Sequence, residues 1–443
     1  MRQFMKNLNK KSIDTTATKN HNIIFNILSI FFVVFVCFRD IIALYTTEYI
    51  KIIPDIMIFM LFIFVIVKNY KNLKISKGDK IVFSILILGT LISILNQVNL
   101  TNIIFQLRSI SIIYILYFST KNLGVEIKYK KIVYTFCAIT IFLTLFSIIE
   151  IISEKELLFP EVWKNNIVYS TYIKRAYSLL NNPNTYAAFA IITYIMIDLR
   201  DKKNNFEKVL TVIMFLIALI AVGISASRSG AIAFVIYLIY RFLTSFKNKS
   251  KNTKILLAGT ASLIIIISSI FVSKSLSDAN AHSDHQELPF FNRVVVDVFS
   301  GKAFNNNVVD GRIYKINKAL ELFQDKPLAG FGLGTFGSSG SMRTELPHYQ
   351  KYEITKDFYS DNEYIVILVE TGIIGIVMFS LFVSSFIKEN IKSRGLVPIM
   401  IVLAFLGLFY NIIEVLPLTF LSLFAILSTH KKESNSSSSR RSS

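Results

Sequence analysis

Apolar residues fall in long unbroken runs along this chain, such as "FNILSIFFVVFVCF" at 25–38 and "IMIFMLFIFVIV" at 56–67, divided by short stretches rich in Lys and Asn. The runs show neither the alternation of a half-buried strand nor the one-sided stripe of a soluble helix, so they predict helices that are apolar all round. A bilayer core of about 30 Å takes roughly 20 such residues per crossing. The runs place spans at 22–38, 50–67, 81–95, 103–118, 132–152, 184–199, 207–223, 229–246, 255–273, 362–387, 396–412 and 415–429. The expected fold is an all-α polytopic membrane protein of about 12 transmembrane helices, with one large extracytoplasmic loop that contains short helices.

Basic residues orient this bundle. With the N-terminus inside, the short segments on the cytoplasmic side hold 30 of the 48 Lys and Arg, against seven in the short segments opposite. Positive charge favours the cytoplasmic side of short loops, so both termini are expected there. The expected plan is a cytoplasmic tail (1–21), helices 1–9 (22–273), the large outer loop (274–360), helices 10–12 (361–429) and a disordered cytoplasmic tail (430–443). A long basic lead and further spans downstream argue that the first span is a retained helix and not a cleaved signal. Inside the loop, "DGRIYKINKALELFQDKP" predicts a helix, with Ile313, Ile316, Leu320 and Phe323 on one face, Asp310 at its start and Pro327 after its end.

Composition agrees. Hydrophobic residues are 53% of the chain, and the mean hydropathy is +0.53. The formal charge of +19 is what Lys-rich short loops facing anionic lipid headgroups produce, so membrane lipids are the expected partner and nucleic acid is not. Cys37 and Cys137 lie within apolar runs and read as small buried hydrophobes. His282 and His285 have no convincing third ligand, so no metal site is expected.

After the loop helix, "GFGLGTFG" contains Gly332, Gly334 and Gly337 in the spacing G-x-G-x-x-G. Dinucleotide binding needs a strand before these glycines and a helix after them. Here a helix precedes them, on the side of the membrane that lacks nucleotide, so no nucleotide cofactor is expected.

A charge within the hydrocarbon is costly, which makes Arg108, Glu370 and Glu414 candidates for function, or for ion pairs that orient helices. Glu363 lies seven residues before Glu370, on the same helical stripe, and the two are candidates for lining a cavity. Arg228 is the one charge in the tight turn "SASRSG", where small neighbours let a phosphate approach its planar fork. Arg175 and Arg312 carry the same two readings, phosphate ligand or interfacial arginine.

Four motifs in order, "NNPNTYAAFA", "SASRSGAIAFVIY", "GRIYKINKALELFQDKPLAGFGLGTFG" and "DNEYIVILVETGIIG", resemble the O-antigen ligase and Wzy-type polymerase family. The resemblance implies an inverting, metal-independent glycosyltransferase acting on a glycan carried by undecaprenyl diphosphate, with a chain-length regulator and a flippase as partners. It implies Arg228, Arg312 and Arg175 as diphosphate ligands. Ligases of the family have His before Asn, Ser or Gln, then nine residues and Gly-x-x-Gly. This chain has Asn362, Gly372 and Gly375 in register, but Asp361 in the His position. Asp361 and His348 are thus the two candidates for the base, with Arg312 beside them, while Arg108, Glu363, Glu370 and Glu414 support the site from within the membrane. Frequent Ile, Asn and Lys suggest an AT-rich genome of the kind many capsule-building Gram-positive bacteria have, which inclines the reading from ligase to polymerase. A transporter of lipid-linked glycans is the competing class, although no internal repeat supports it.

Overall fold

The structure, a computed structural model, describes residues 28–123, 129–153, 158, 175–180, 182–202, 204–246 and 312–430. Its helices are α1 (Leu28–Tyr45), α2 (Ile53–Asn69), α3 (Lys77–Leu95), α4 (Leu100–Asn122), α5 (Tyr129–Ile152), α6 (Pro183–Asp198), α7 (Asn205–Ser225), α8 (Arg228–Phe246), α9 (Arg312–Asp325), α10 (Pro347–Lys351), α11 (Glu363–Asn390), α12 (Leu396–Leu406) and α13 (Leu416–Ser428). Among the described residues the only extended pairing is one bridge between Ser393 and His430. Among the described residues seven helices are long and apolar enough to cross a membrane: α1, the segment Tyr49–Asn69 containing α2, α3, α4, α5, α7 and α11; α12 and α13 are apolar but shorter.

Asparagines start several of these helices. The side chain of Asn182 accepts from the Asn184 and Thr185 amides, with Pro183 at the first helical position, and Asn99, Asn204 and Asn362 cap α4, α7 and α11 in the same way. In the turn before α3, Ser76 and Asp79 form a reciprocal capping box.

Helix α6 is the axis of the bundle, in contact with α5, α7, α8, α12 and α13. It is buried from Thr185 through Asp198, as expected of a helix that is apolar on every face. Small residues let its neighbours close in: a Cβ on Gly230 would lie 2.8 Å from that of Ala187. Where helices meet in hydrocarbon, small residues and buried hydroxyl pairs supply the attraction. Here the pairs are Thr140 with Thr193 and Tyr186 with Thr144, at 3.0 and 2.9 Å. A second group, α2, α3, α4, α9 and α11, packs alongside, with α11 against both α3 and α9.

The two ends differ. At one end, ion pairs tie helix termini together: Lys121 bridges Asp79 and Glu389, Asp198 accepts from Lys202 and Arg241, and Arg394 pairs with Asp201. The starts of α6, α8 and α11 lie at the other end, together with the polypeptide from 326 to 362.

Helix α11 is broken. Gly372 has φ 62° and ψ −163°, a conformation nearly confined to glycine. The break frees backbone groups that would be intolerable in hydrocarbon, and the loop satisfies them. The amides of Phe331 and Gly332 donate to the carbonyls of Val369 and Glu370, each at 2.9 Å, while the amides of Ile373 and Ile374 donate to Pro327 and Leu328, at 2.9 and 3.0 Å. Residues 327–332 are therefore inserted into the helix.

Every predicted span except the ninth overlaps a helix among the described residues, the first from Leu28 onward. The ninth (255–273), the loop residues 274–311 with Asp310, His282 and His285, and the tails 1–21 and 431–443 lie outside the described residues. Two expectations need correction. Helix α12 stops at Leu406, because residues 407–413 turn back to bond the start of α11: Gly407 accepts the Glu363 amide at 2.9 Å, and the Glu363 carboxylate accepts the Ile413 amide at 3.1 Å. In α9 the packed face carries Ala319 and Leu322, both fully buried, whereas Ile316 and Leu320 are 38% and 46% exposed. The helix is rotated from its apparent apolar stripe so that Lys315 faces the start of α11.

Gly372→Ala is expected to destabilise the protein by at least about 1–3 kcal/mol from backbone strain alone, since its Cβ would also lie 2.5 Å from the Leu328 carbonyl. Thermal unfolding in detergent measures this, and an unchanged midpoint would show that the break is not structural.

Candidate functional site

The glycine run does cradle an anion, and the anion is the protein's own. One oxygen of the Glu370 carboxylate accepts from the amides of Gly334, Thr335 and Phe336, at 3.0, 3.1 and 3.4 Å, and from the Ser338 hydroxyl at 3.0 Å. Successive amides converge in this way only where the chain turns through left-handed conformations. Gly332 has φ +100°, and a Cβ there would lie 2.5 Å from the Cα of Ser93 in α3. Hydrogen bonds to a charged acceptor contribute about 1.5–3 kcal/mol each, so Glu370 is a clasp that holds the loop against α11.

His348 secures the other side of the loop. Its Nε2 lies 2.9 Å from the Thr335 carbonyl, which can only accept, so Nε2 carries the proton. Its ring packs on Phe331 with centroids 4.8 Å apart. Burial holds its pKa down, to about 4, against the carbonyl contact that favours the charged form; Lys326 adds a smaller depression.

Asp361 is differently placed. Asn362 after it caps α11 through the amides of Tyr364 and Ile365, and Ser360 before it donates its amide to the Gly337 carbonyl at 2.8 Å. The backbone at 361 is thus held on both sides, while the side chain remains 41% exposed. It lines a small cavity with Lys315, Ile316, Ser360, Asn362 and Leu408. The Lys315 ammonium lies 3.2 Å from its carboxylate. Arg312 is one helical turn before Lys315 in α9, a spacing that puts both on one side of the helix; its side chain lies outside the described residues.

Arg228 opens α8 and is exposed. The turn before it is braced by Arg175, whose guanidinium donates to the Ser225 carbonyl at 2.9 Å and to Asn184 at 3.3 Å. Asn184 in turn accepts from Ser227 at 2.8 Å. The "NNPN" and "SASRSG" motifs therefore meet at one corner, and Arg175 acts there as its brace.

The charges read as intramembrane also find partners. Arg108 pairs with Asp55 of α2, joining α4 to α2 as an orienting ion pair would. Glu414 accepts the Ser339 amide through both oxygens, at 2.9 and 3.1 Å, and the Tyr359 hydroxyl at 3.1 Å. Glu363 and Glu370 share a helical stripe and bond different segments: Glu363 holds the turn after α12, and Glu370 holds the glycine loop. Sequence reasoning missed Lys315 and Asp55. The signal for Lys315 was its placement four residues before Ala319 and seven before Leu322, on the face that α9 packs. Among the described residues no group of His, Cys, Asp and Glu is arranged to hold a metal ion.

Residues 213–380 match the family model described as O-antigen ligase. The matched stretch runs from α7 through Arg228, Arg312, Lys315, the glycine loop and Asp361 to the second half of α11. Arg108, Arg175 and Glu414 lie outside it. No curated protein matches the chain.

A depressed histidine pKa gives a definite pH dependence. Above the unfolded value of about 6.5, His348 is neutral in both states and costs nothing. Below it the unfolded chain takes up a proton that the folded site refuses, so stability falls by up to about 3 kcal/mol as pH drops from 6.5 towards 4. Unfolding midpoints measured across that range should lose this slope in His348→Gln, and an identical slope in the variant would refute the assignment.

Proposed function

We propose, from the match of residues 213–380 to the O-antigen ligase family model, that this chain is a membrane glycosyltransferase that transfers a glycan from a lipid diphosphate carrier to an acceptor hydroxyl. The observation that carries the reading is Asp361: a carboxylate at the motif's His position, exposed in a cavity, with its backbone fixed and Lys315 3.2 Å away. In the proposed reaction Asp361 takes the proton as the acceptor oxygen attacks the anomeric carbon. The bond from that carbon to the diphosphate breaks, and the lipid diphosphate leaves with the electron pair. Attack from the face opposite the leaving group inverts the anomeric centre.

The leaving group is already good, so cationic stabilisation of the growing charge matters more than protonation. Arg228 is suited to it, on a braced turn and at a helix N-terminus whose dipole adds positive potential. Arg312 is the second ligand in this reading. Lys315 orients Asp361, and His348 is a strut in this reading, its ring packed on Phe331 and its Nε2 proton held by the Thr335 carbonyl. The loop end of the bundle faces outward, which agrees with the Lys and Arg gathered at the other end.

For the acceptor we propose a second lipid-linked repeat unit, which makes the enzyme a polymerase. The family description favours a ligase, in which a finished glycan passes to a terminal acceptor. The glycan profile of cells lacking the protein distinguishes them: single lipid-linked repeats accumulate if a polymerase is missing, and full-length unattached chains if a ligase is missing.

Purified protein supplied with lipid-linked repeat units should elongate them. Asp361→Asn is expected to lower turnover by about 10²–10⁴-fold, and Arg228→Ala by about 10²–10³-fold. Chain length read on a gel decides: wild-type rates in both Arg228→Ala and Arg312→Ala would remove the diphosphate clamp. Movement of glycan across liposomes without elongation would make the protein a transporter.

A further inference from the structure

The cavity beside Asp361 has a volume of about 30 Å³, and one water-sized group occupies about 10–15 Å³ on that measure. It therefore takes about two or three such groups, a substituent and not a whole sugar ring. Three of its walls are aliphatic: Ile316 of α9, Ile365 in the first turn of α11 and Leu408 in the turn after α12. Ile316 and Leu408 are 38% and 45% exposed, although they stand beside an ion pair.

The polar lining is mostly occupied by the protein itself. The Ser360 hydroxyl accepts the Asn362 amide at 3.2 Å, and the Asn362 side-chain oxygen caps α11. Lys315 is the exception. An ammonium carries three N–H donors, and among the described residues the acceptor it meets is Oδ2 of Asp361. That pair leaves Oδ1 of Asp361 for the acceptor hydroxyl.

An apolar pocket with one placed donor selects a group that is part methyl and part carbonyl. We infer that this cavity holds the acetamido group of the acceptor sugar, on the carbon next to the one whose hydroxyl attacks. The methyl lies among Ile316, Ile365 and Leu408, the carbonyl oxygen accepts from Lys315, and the neighbouring hydroxyl reaches Asp361. Substituents on adjacent ring carbons suit a cavity that adjoins the base. The inference rests on Asp361 as that base, and it holds for a polymerase and a ligase alike. The donor's lipid tail is a poorer occupant, because a diphosphate separates it from the carbon under attack. An acidic substituent would satisfy Lys315 but would set its charge against three aliphatic walls.

The test supplies the full chain in nanodiscs with lipid-linked repeat units as donor and octyl glycosides as acceptors. The glycosides come in pairs that differ only in a hydroxyl or an acetamido group at C2 or C4, and transfer is read by mass spectrometry. One methylene-sized group in an apolar pocket changes selectivity about 10–200-fold, so the best acetamido glycoside should exceed its hydroxyl partner at least tenfold in kcat/KM, through KM. Ile316→Ala and Leu408→Ala should each lower that ratio severalfold. The ratio compares two acceptors on one preparation, so partial unfolding of a variant cancels. Equal rates within every pair, or a ratio unchanged in both variants, would overturn the inference while the transferase reading stood. A 6-deoxy glycoside preferred over every acetamido one would show a cavity for a bare methyl and equally end it. Failure to elongate the lipid-linked units themselves would remove the transferase reading, and this inference with it.

Discussion

The break in α11 and the loop inserted into it are two halves of one interaction. Hydrocarbon tolerates no unpaired backbone amide or carbonyl, and a helix interrupted at Gly372 exposes both. Residues 327–332 present two carbonyls and two amides to match, so neither the broken helix nor the buried loop is stable without the other. The rest of the loop end is positioned from this junction. It sets the depth of the glycine run against Glu370, fixes the approach of α9, and thereby delivers Lys315 to Asp361.

The charges at this end divide by environment. Glu370, Glu414 and Glu363 are occupied by backbone amides and a few hydroxyls, so they hold polypeptide in place and present little charge to a ligand. Arg228, which opens α8, stands nearer solvent.

Much of the helical plan was legible because a run of apolar residues has few ways to fold in a membrane. The capped starts were legible too, since asparagine before proline or before a hydrophobic run performs a local task. Contacts between distant segments were not. Glu370 announced itself as a buried charge, but its partners are main-chain amides more than thirty residues away, and main-chain amides have no letter code. Asp55 follows Pro54 and reads as a helix start, which hid its pairing with Arg108. In α9 the conspicuous isoleucines drew the eye to the wrong face, because a lysine that faces a carboxylate packs inward as an isoleucine would. The G-x-G-x-x-G spacing misled about the ligand and not about the physics: it marks a chain that converges its amides on an anion, here supplied from within.

Asn362 carries a consequence of a different kind. The backbone on either side of Asp361 is secured by the Asn362 cap and the Ser360 amide, and neither involves the Asp361 side chain. The side chain that we propose accepts the proton is thus mounted on a fixed bracket, one that an imidazole or a carboxylate could occupy with the same backbone contacts. A lineage can exchange one chemistry for the other in a single step and adjust the neighbour, Lys315 in this chain, afterwards.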